Sequence, residues 1–233
     1  MSPTQQLQNF AQSIYLTIKN RYYDDITGID GQNYIASVCD WTNMYLDELE
    51  LEADWNSMRQ YNYSLGTAIQ GASSIPLNPL INNLLNDEVR YVQILQGGIV
   101  ISNWAVVAPG NITSISTRIT EDMVSVVNTN IVFSRPFRDT ENNGQITGDV
   151  TLLFPRLSST NVKVLGLVKP KQLLILGVAK NATLPDIVQG GLSPSYSQKY
   201  KDLLDGAIAR NNASARADSV VRDNYSNISG VGF

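Results

Sequence analysis

Apolar residues recur at three- and four-residue steps near both ends of this chain and alternate through its middle. Leu7, Phe10, Ala11, Ile14 and Ile18 fall on one face of a helix. The Asp- and Gly-rich segment 24–31 predicts a turn. A second helix follows, with Tyr34, Ile35, Val38, Trp41, Tyr45 and Leu49 as its apolar stripe. Its other side ends in Asp47, Glu48, Glu50, Glu52 and Asp54. Such a run reads as a solvated face before it reads as a metal or catalytic site, because unpaired carboxylates avoid burial. On this pattern residues 1–71 form an N-terminal helical part.

Residues 72–178 read as a β-rich insert. A polar, proline-containing stretch at 73–79 opens it and fits a linker or extended arm. Val89, Tyr91 and Gln93 start an alternation that reaches Leu95. Gln96-Gly97-Gly98 signals a hairpin, and the alternation resumes from Ile99 to Trp104. Further strands are expected at 111–118, 124–134, 148–154 and 171–178, with a polar turn at 139–144. Residues 179–233 return to helix. Thr183-Leu184-Pro185-Asp186 is a helix start that Gly190-Gly191 closes. Ser193-Pro194 starts another helix, with Tyr200, Leu203, Leu204, Ala207 and Ile208 as its stripe and Asn211-Asn212 as a point of break or fraying. The C-terminal residues Gly230, Val231, Gly232 and Phe233 form a glycine-rich tail with an aromatic tip, suited to anchoring in a partner's pocket. The expected fold class is α+β: a helical bundle of N- and C-terminal helices with an inserted antiparallel β-domain.

Composition narrows the chemistry. Hydrophobic residues make up 43% and charged residues 16%, so Asn, Gln, Ser and Thr must cover much of the surface. Net charge is −4 and no Lys/Arg stripe appears, which argues against specific nucleic-acid binding and leaves only weak, non-specific contact with DNA. The chain has no histidine, so a Ser-His-Asp or Cys-His centre is excluded. Its single cysteine, Cys39, lies in an apolar helical pattern and reads as a small buried hydrophobe. A zinc site lacks ligands. Gly177 to Thr183 has the Gly, Lys and Thr of a phosphate loop but not the second glycine. Ser193 to Lys199 leaves a Ser-Lys pair formally open, and Glu121-Asp122 is an acidic pair of the kind common in turns. No enzyme activity, cofactor or metal is expected. Neither a secretory leader nor a membrane span is expected.

Further along, the wording of the chain becomes familiar. Arg156-Leu157, Val164-Leu165, the run from Val168 to Ala182, and Leu184 to Pro194 resemble segments of head–tail adaptor (connector) proteins in the neck of tailed phages, including the tail-tubular type. The pattern from Ile35 to Trp55, Ile75-Pro76-Leu77 and Glu88 to Val92 agree with that class in outline. The resemblance implies a structural protein of the virion, assembled in the host cytoplasm. It implies a homo-oligomeric ring, a dodecamer, beneath the portal, closed by heterologous contacts. It also implies a portal-reaching arm at Gly230, Val231, Gly232 and Phe233, and a tail-facing surface on the strands of 86–135, against a downstream tail or nozzle protein. Alternatives are a tail terminator, tube or baseplate component, or a small-ligand-binding module.

Overall fold

The computed structural model describes residues 1–53, 55–85, 91–114, 122–182 and 192–228, with residues 111, 113–114 and 214–228 described by their backbone. The elements are α1 (Pro3–Lys19), α2 (Ile29–Glu52), β1 (Arg59–Thr67), β2 (Ser74–Pro76), β3 (Ile81–Leu84), β4 (Tyr91–Gln96), β5 (Ile99–Val106), α3 (Pro109–Ser114), β6 (Met123–Val127), β7 (Asn130–Phe133), β8 (Gln145–Leu152), α4 (Val164–Leu167), α5 (Lys171–Asn181) and α6 (Pro194–Ile228). The fold is α+β, with helices at both ends of the chain and the sheet between them. Two compact units share it. A helical unit takes Met1–Ala53 and Phe154–Arg216, and a sheet unit takes Asp54–Leu153 with Ala217–Phe233.

In the helical unit, Ser2 caps α1: its Oγ accepts from Gln5 N–H at 3.3 Å while the Gln5 side chain accepts from Ser2 N–H at 3.4 Å. Asn20 ends the helix in the left-handed region, φ 55°. Gln12 then pins the turn with a reciprocal pair, accepting from Tyr23 N–H at 2.9 Å and donating to Tyr23 O at 3.0 Å. The stripes of α1 and α2 are buried as their spacing predicts, Leu7, Phe10, Ala11 and Ile14 facing inward from one and Tyr34 to Leu49 from the other. Both helices pack on α5. Residues 171–178, expected as a strand, form this helix. Leu173, Leu174, Leu176, Val178 and Ala179 are all buried. A helix enclosed on several sides is apolar all round, and its period disappears. Gly177 faces Tyr45 so closely that a methyl group there would fall on the tyrosine ring.

The sheet unit begins earlier in the chain than the pattern suggested. Helix was expected to about residue 70, yet α2 ends at Glu52 and β1 occupies 59–67. Two register shifts against β8, with Asn62 at φ 53° and Gly66 at φ 148°, break the alternation that marks a strand. The expected linker at 73–79 contains β2, whose Ile75 is buried and pairs with Ile131. The strand order is β1-β8-β4-β5-β6-β7-β2, with β3 also on β8. One edge of β8 pairs with β1; the other pairs with β4 at 145–147 and with β3 at 150–152. The sheet is mixed, not purely antiparallel. β5 and β6 run parallel at Ala105↔Met123 and Val106↔Val124, because the connection between them crosses over through α3. That helix also replaces the strand expected from residue 111 as far as 114. Residues 124–134 are two strands, split by Asn128 at φ 55°. The curled sheet encloses one core that includes Val92, Ile94, Trp104, Val124, Ile131, Phe133, Ile146 and Val150.

The Tyr45–Gly177 contact has a measurable consequence. Gly177→Ala is expected to destabilise the helical unit by about 1–3 kcal/mol through overpacking. Gly206→Ala on α6, where a methyl group would meet nothing within 4 Å, is expected to stabilise by up to about 1 kcal/mol. Thermal unfolding of the two variants checks both signs.

Candidate functional site

Three carboxylates on α2, Asp47, Glu48 and Glu50, hold the returning chain. Glu50, with only 9% of its side chain exposed, accepts from Phe154 N–H at 2.7 Å and from Arg156 at 3.1 Å, and Arg156 also meets Asp47 at 2.7 Å. Glu48 takes Lys180 at 3.2 Å and the Asn181 amide at 2.8 Å. Asn43 completes the clasp, accepting from Leu157 N–H at 2.8 Å and donating to Leu157 O at 3.2 Å. Glu52 is exposed at the end of the helix, and Asp54 lies outside the described residues. Among the described residues no group of three His, Cys, Asp or Glu side chains is placed to hold a metal ion.

The other candidates disperse. Gly177 to Asn181 lies within α5, so no phosphate loop forms there, and Thr183 lies outside the described residues. Ser193 and Ser195 hydroxyls meet at 3.0 Å at the start of α6, with Ser197 N–H on Ser193 O at 2.9 Å; this is helix-end geometry. Cys39 is half-buried, and burial, helped by Asp40, raises its thiol pKa, which keeps it protonated and unreactive. Glu121, the 183–191 helix start, and the tail residues Gly230, Val231, Gly232 and Phe233 lie outside the described residues.

What remains is the β4–β5 hairpin. Gly97 and Gly98 both have positive φ, 59° and 83°, which suits the two-residue turn that matches strand twist. Register passes from Ile94↔Ser102 to Leu95↔Val100, so Ile101 is an extra residue on β5. The bulge disrupts the inside–outside alternation and leaves three consecutive apolar side chains wet: Ile99 is 71% exposed, Val100 41% and Ile101 39%. Tyr91 is exposed at the far end of β4. No residue from Tyr91 to Thr117 is charged. Among the described residues β5 pairs with β6 only at Ala105 and Val106, so the outer edge of 99–104 carries no paired strand. An apolar edge without charge or proline is a template for association. The alternation alone did not reveal it; the long uncharged run around Gly97-Gly98 was the available signal.

A part-buried ionic network, with Glu141 at its buried end, braces this hairpin. Arg135 forks onto Glu141 with two bonds of 2.8 Å, reaches Asp122 Oδ1 through Nε at 2.7 Å and Asp122 Oδ2 through Nη2, and donates to Pro136 O at 3.0 Å. Its guanidinium lies 4.4 Å from the centroid of the Trp104 ring on β5. Trp104 Nε1 donates to Ser102 Oγ at 3.2 Å, and Ser102 in turn hydrogen-bonds Glu141. Glu141, buried at 2% exposure, also accepts from Arg138 N–H at 2.7 Å. The Arg135 guanidinium holds the Glu141 carboxyl down to about 2; burial opposes this, and Arg138 N–H and Ser102 add to it. Every N–H direction of the fork is used, so the network fixes geometry and offers no free group for chemistry.

No protein-family model matches this chain, and no curated protein matches it.

The Glu141 pKa is depressed in the folded state from an ordinary 4.5 to about 2. Its contribution is therefore complete above 4.5 and is lost as pH falls toward 2. Glu141→Gln is expected to cost about 3 kcal/mol at pH 7 and to flatten the acid dependence of stability in that window. Urea unfolding of both proteins at several pH values between 7 and 2.5 checks this; a variant as stable as wild type at pH 7 would contradict it.

Proposed function

We propose that this chain is a structural adaptor that forms a homo-oligomeric ring between the capsid portal and the tail of a tailed phage, as part of the conduit for DNA. The observation that carries the reading is the braced, uncharged hairpin. Ile99, Val100 and Ile101 stand exposed on a braced hairpin, and their neighbours along the chain supply no charge. Such a surface suits desolvation against a protein partner and nothing that requires acid–base groups. The resemblance of 156–194 to neck proteins supplies the context in which that partner is the downstream tail or nozzle protein. In this reading the hairpin lies on the tail-facing surface, and Gly230, Val231, Gly232 and Phe233 reach the portal.

The two contacts separate experimentally. Ile99→Asp with Ile101→Asp is expected to weaken docking to the purified tail-side protein at least about tenfold while portal docking stays as in wild type. Deleting Gly230 to Phe233 is expected to do the reverse and to leave the unfolding midpoint unchanged. Co-sedimentation of each variant with each partner reads both. Docking unchanged by either alteration would contradict the reading.

A further inference from the structure

The sequence is acidic overall, yet no Asp or Glu occurs between Asp149 and Asp186. That stretch carries Arg156, Lys163, Lys169, Lys171 and Lys180. The helical unit divides these cations in two. Arg156 is spent on Asp47 and Glu50, and Lys180 on Glu48. Lys163, Lys169 and Lys171 are exposed, and among the described residues none of them meets a carboxylate. They lie within nine residues of each other: Lys163 stands immediately before α4, and Lys169 and Lys171 flank Pro170 where α5 begins. Gly166, also exposed, adds no bulk between them. Along α5, Lys171 is about 13 Å from Lys180, so the α2 carboxylates that engage Lys180 sit at the opposite end of the helix.

We infer that the Lys163–Lys169–Lys171 corner is a contact for the phosphate backbone of duplex DNA. This rests on the adaptor reading for its setting and locates the non-specific DNA contact within it. Three exposed ammonium groups on a short segment attract phosphates as point charges and read no base, so the contact holds DNA weakly and lets it slide. Repetition around a ring multiplies such a contact without tightening any one of them.

Fluorescence anisotropy of a labelled 25-base-pair duplex at low salt, titrated with the purified full chain, tests this. Binding is expected to fall with salt at a log–log slope of about −2.7 for three phosphates. The triple substitution Lys163→Gln, Lys169→Gln, Lys171→Gln is expected to weaken it at least tenfold. A control triple on α6, Lys199→Gln, Lys201→Gln, Arg210→Gln, changes net charge equally and is expected to leave binding within twofold. Absence of duplex binding at low salt, or equal losses in both triples, would overturn the inference. Tighter binding of labelled poly-glutamate than of duplex would overturn it in favour of an acidic protein partner. The assay uses the isolated chain, so its failure leaves ring formation on the portal untouched, and the reverse holds too.

Discussion

Burial of α5 against both α1 and α2 is the constraint on which the helical unit depends. The chain leaves that unit at Ala53 and returns at Phe154, after an excursion of about a hundred residues. Closing so long a loop costs conformational entropy that only non-local contacts offset. The Tyr45 ring over Gly177 lets α2 and α5 approach closely, and any side chain at 177 would push them apart. Glu50, Asp47 and Asn43 then fasten Phe154, Arg156 and Leu157 as the chain comes back. The acidic face of α2 is thereby explained by architecture: three of its carboxylates hold the returning segment.

The sheet unit uses charge in the same way. Arg135, Asp122 and Glu141 are separated in sequence, and Arg135 bonds both carboxylates, with Glu141 buried and Asp122 and Arg135 partly exposed. Buried ion pairs contribute little net stability against apolar replacements but fix a geometry, and removing one partner is costly. Here the geometry fixed is that of Trp104 and Ser102 on β5, and so of the hairpin that bears Ile99, Val100 and Ile101. Charge is turned inward and the outward hairpin is left apolar. An apolar surface built this way would depend little on salt or on pH above 4.5, where Glu141 stays ionised.

Much of this was legible in the sequence where local rules agree with tertiary structure. The stripes of α1 and α2, the Gly97-Gly98 turn, and the Ser193-Pro194 helix start read directly because spacing, capping and turn chemistry concur. The α+β class followed from their order. Elsewhere tertiary context overrode the pattern. α5 reads as a strand because a helix enclosed by others loses its polar face. β1 falls within the expected N-terminal helical part because its bulges, at Asn62 and Gly66, break the alternation that would mark it as a strand. α3 interrupts a β-like run because the chain must cross over to pair β6 in parallel with β5. The Arg135 network had no local signature, since its members meet only after the hairpin and the 134–141 segment fold together. The exposed hairpin tip was half visible: its turn was evident, but the bulge that exposes three neighbouring residues was not.

The most direct test of the adaptor account is the mass of the purified chain in solution, alone and after mixing with its portal. The account predicts a ring of about a dozen copies, either free or formed on the portal, held by heterologous contacts that close on themselves. A protein that remains a 25.6 kDa monomer in the presence of the portal would contradict it and would direct attention to ligand binding in the sheet unit.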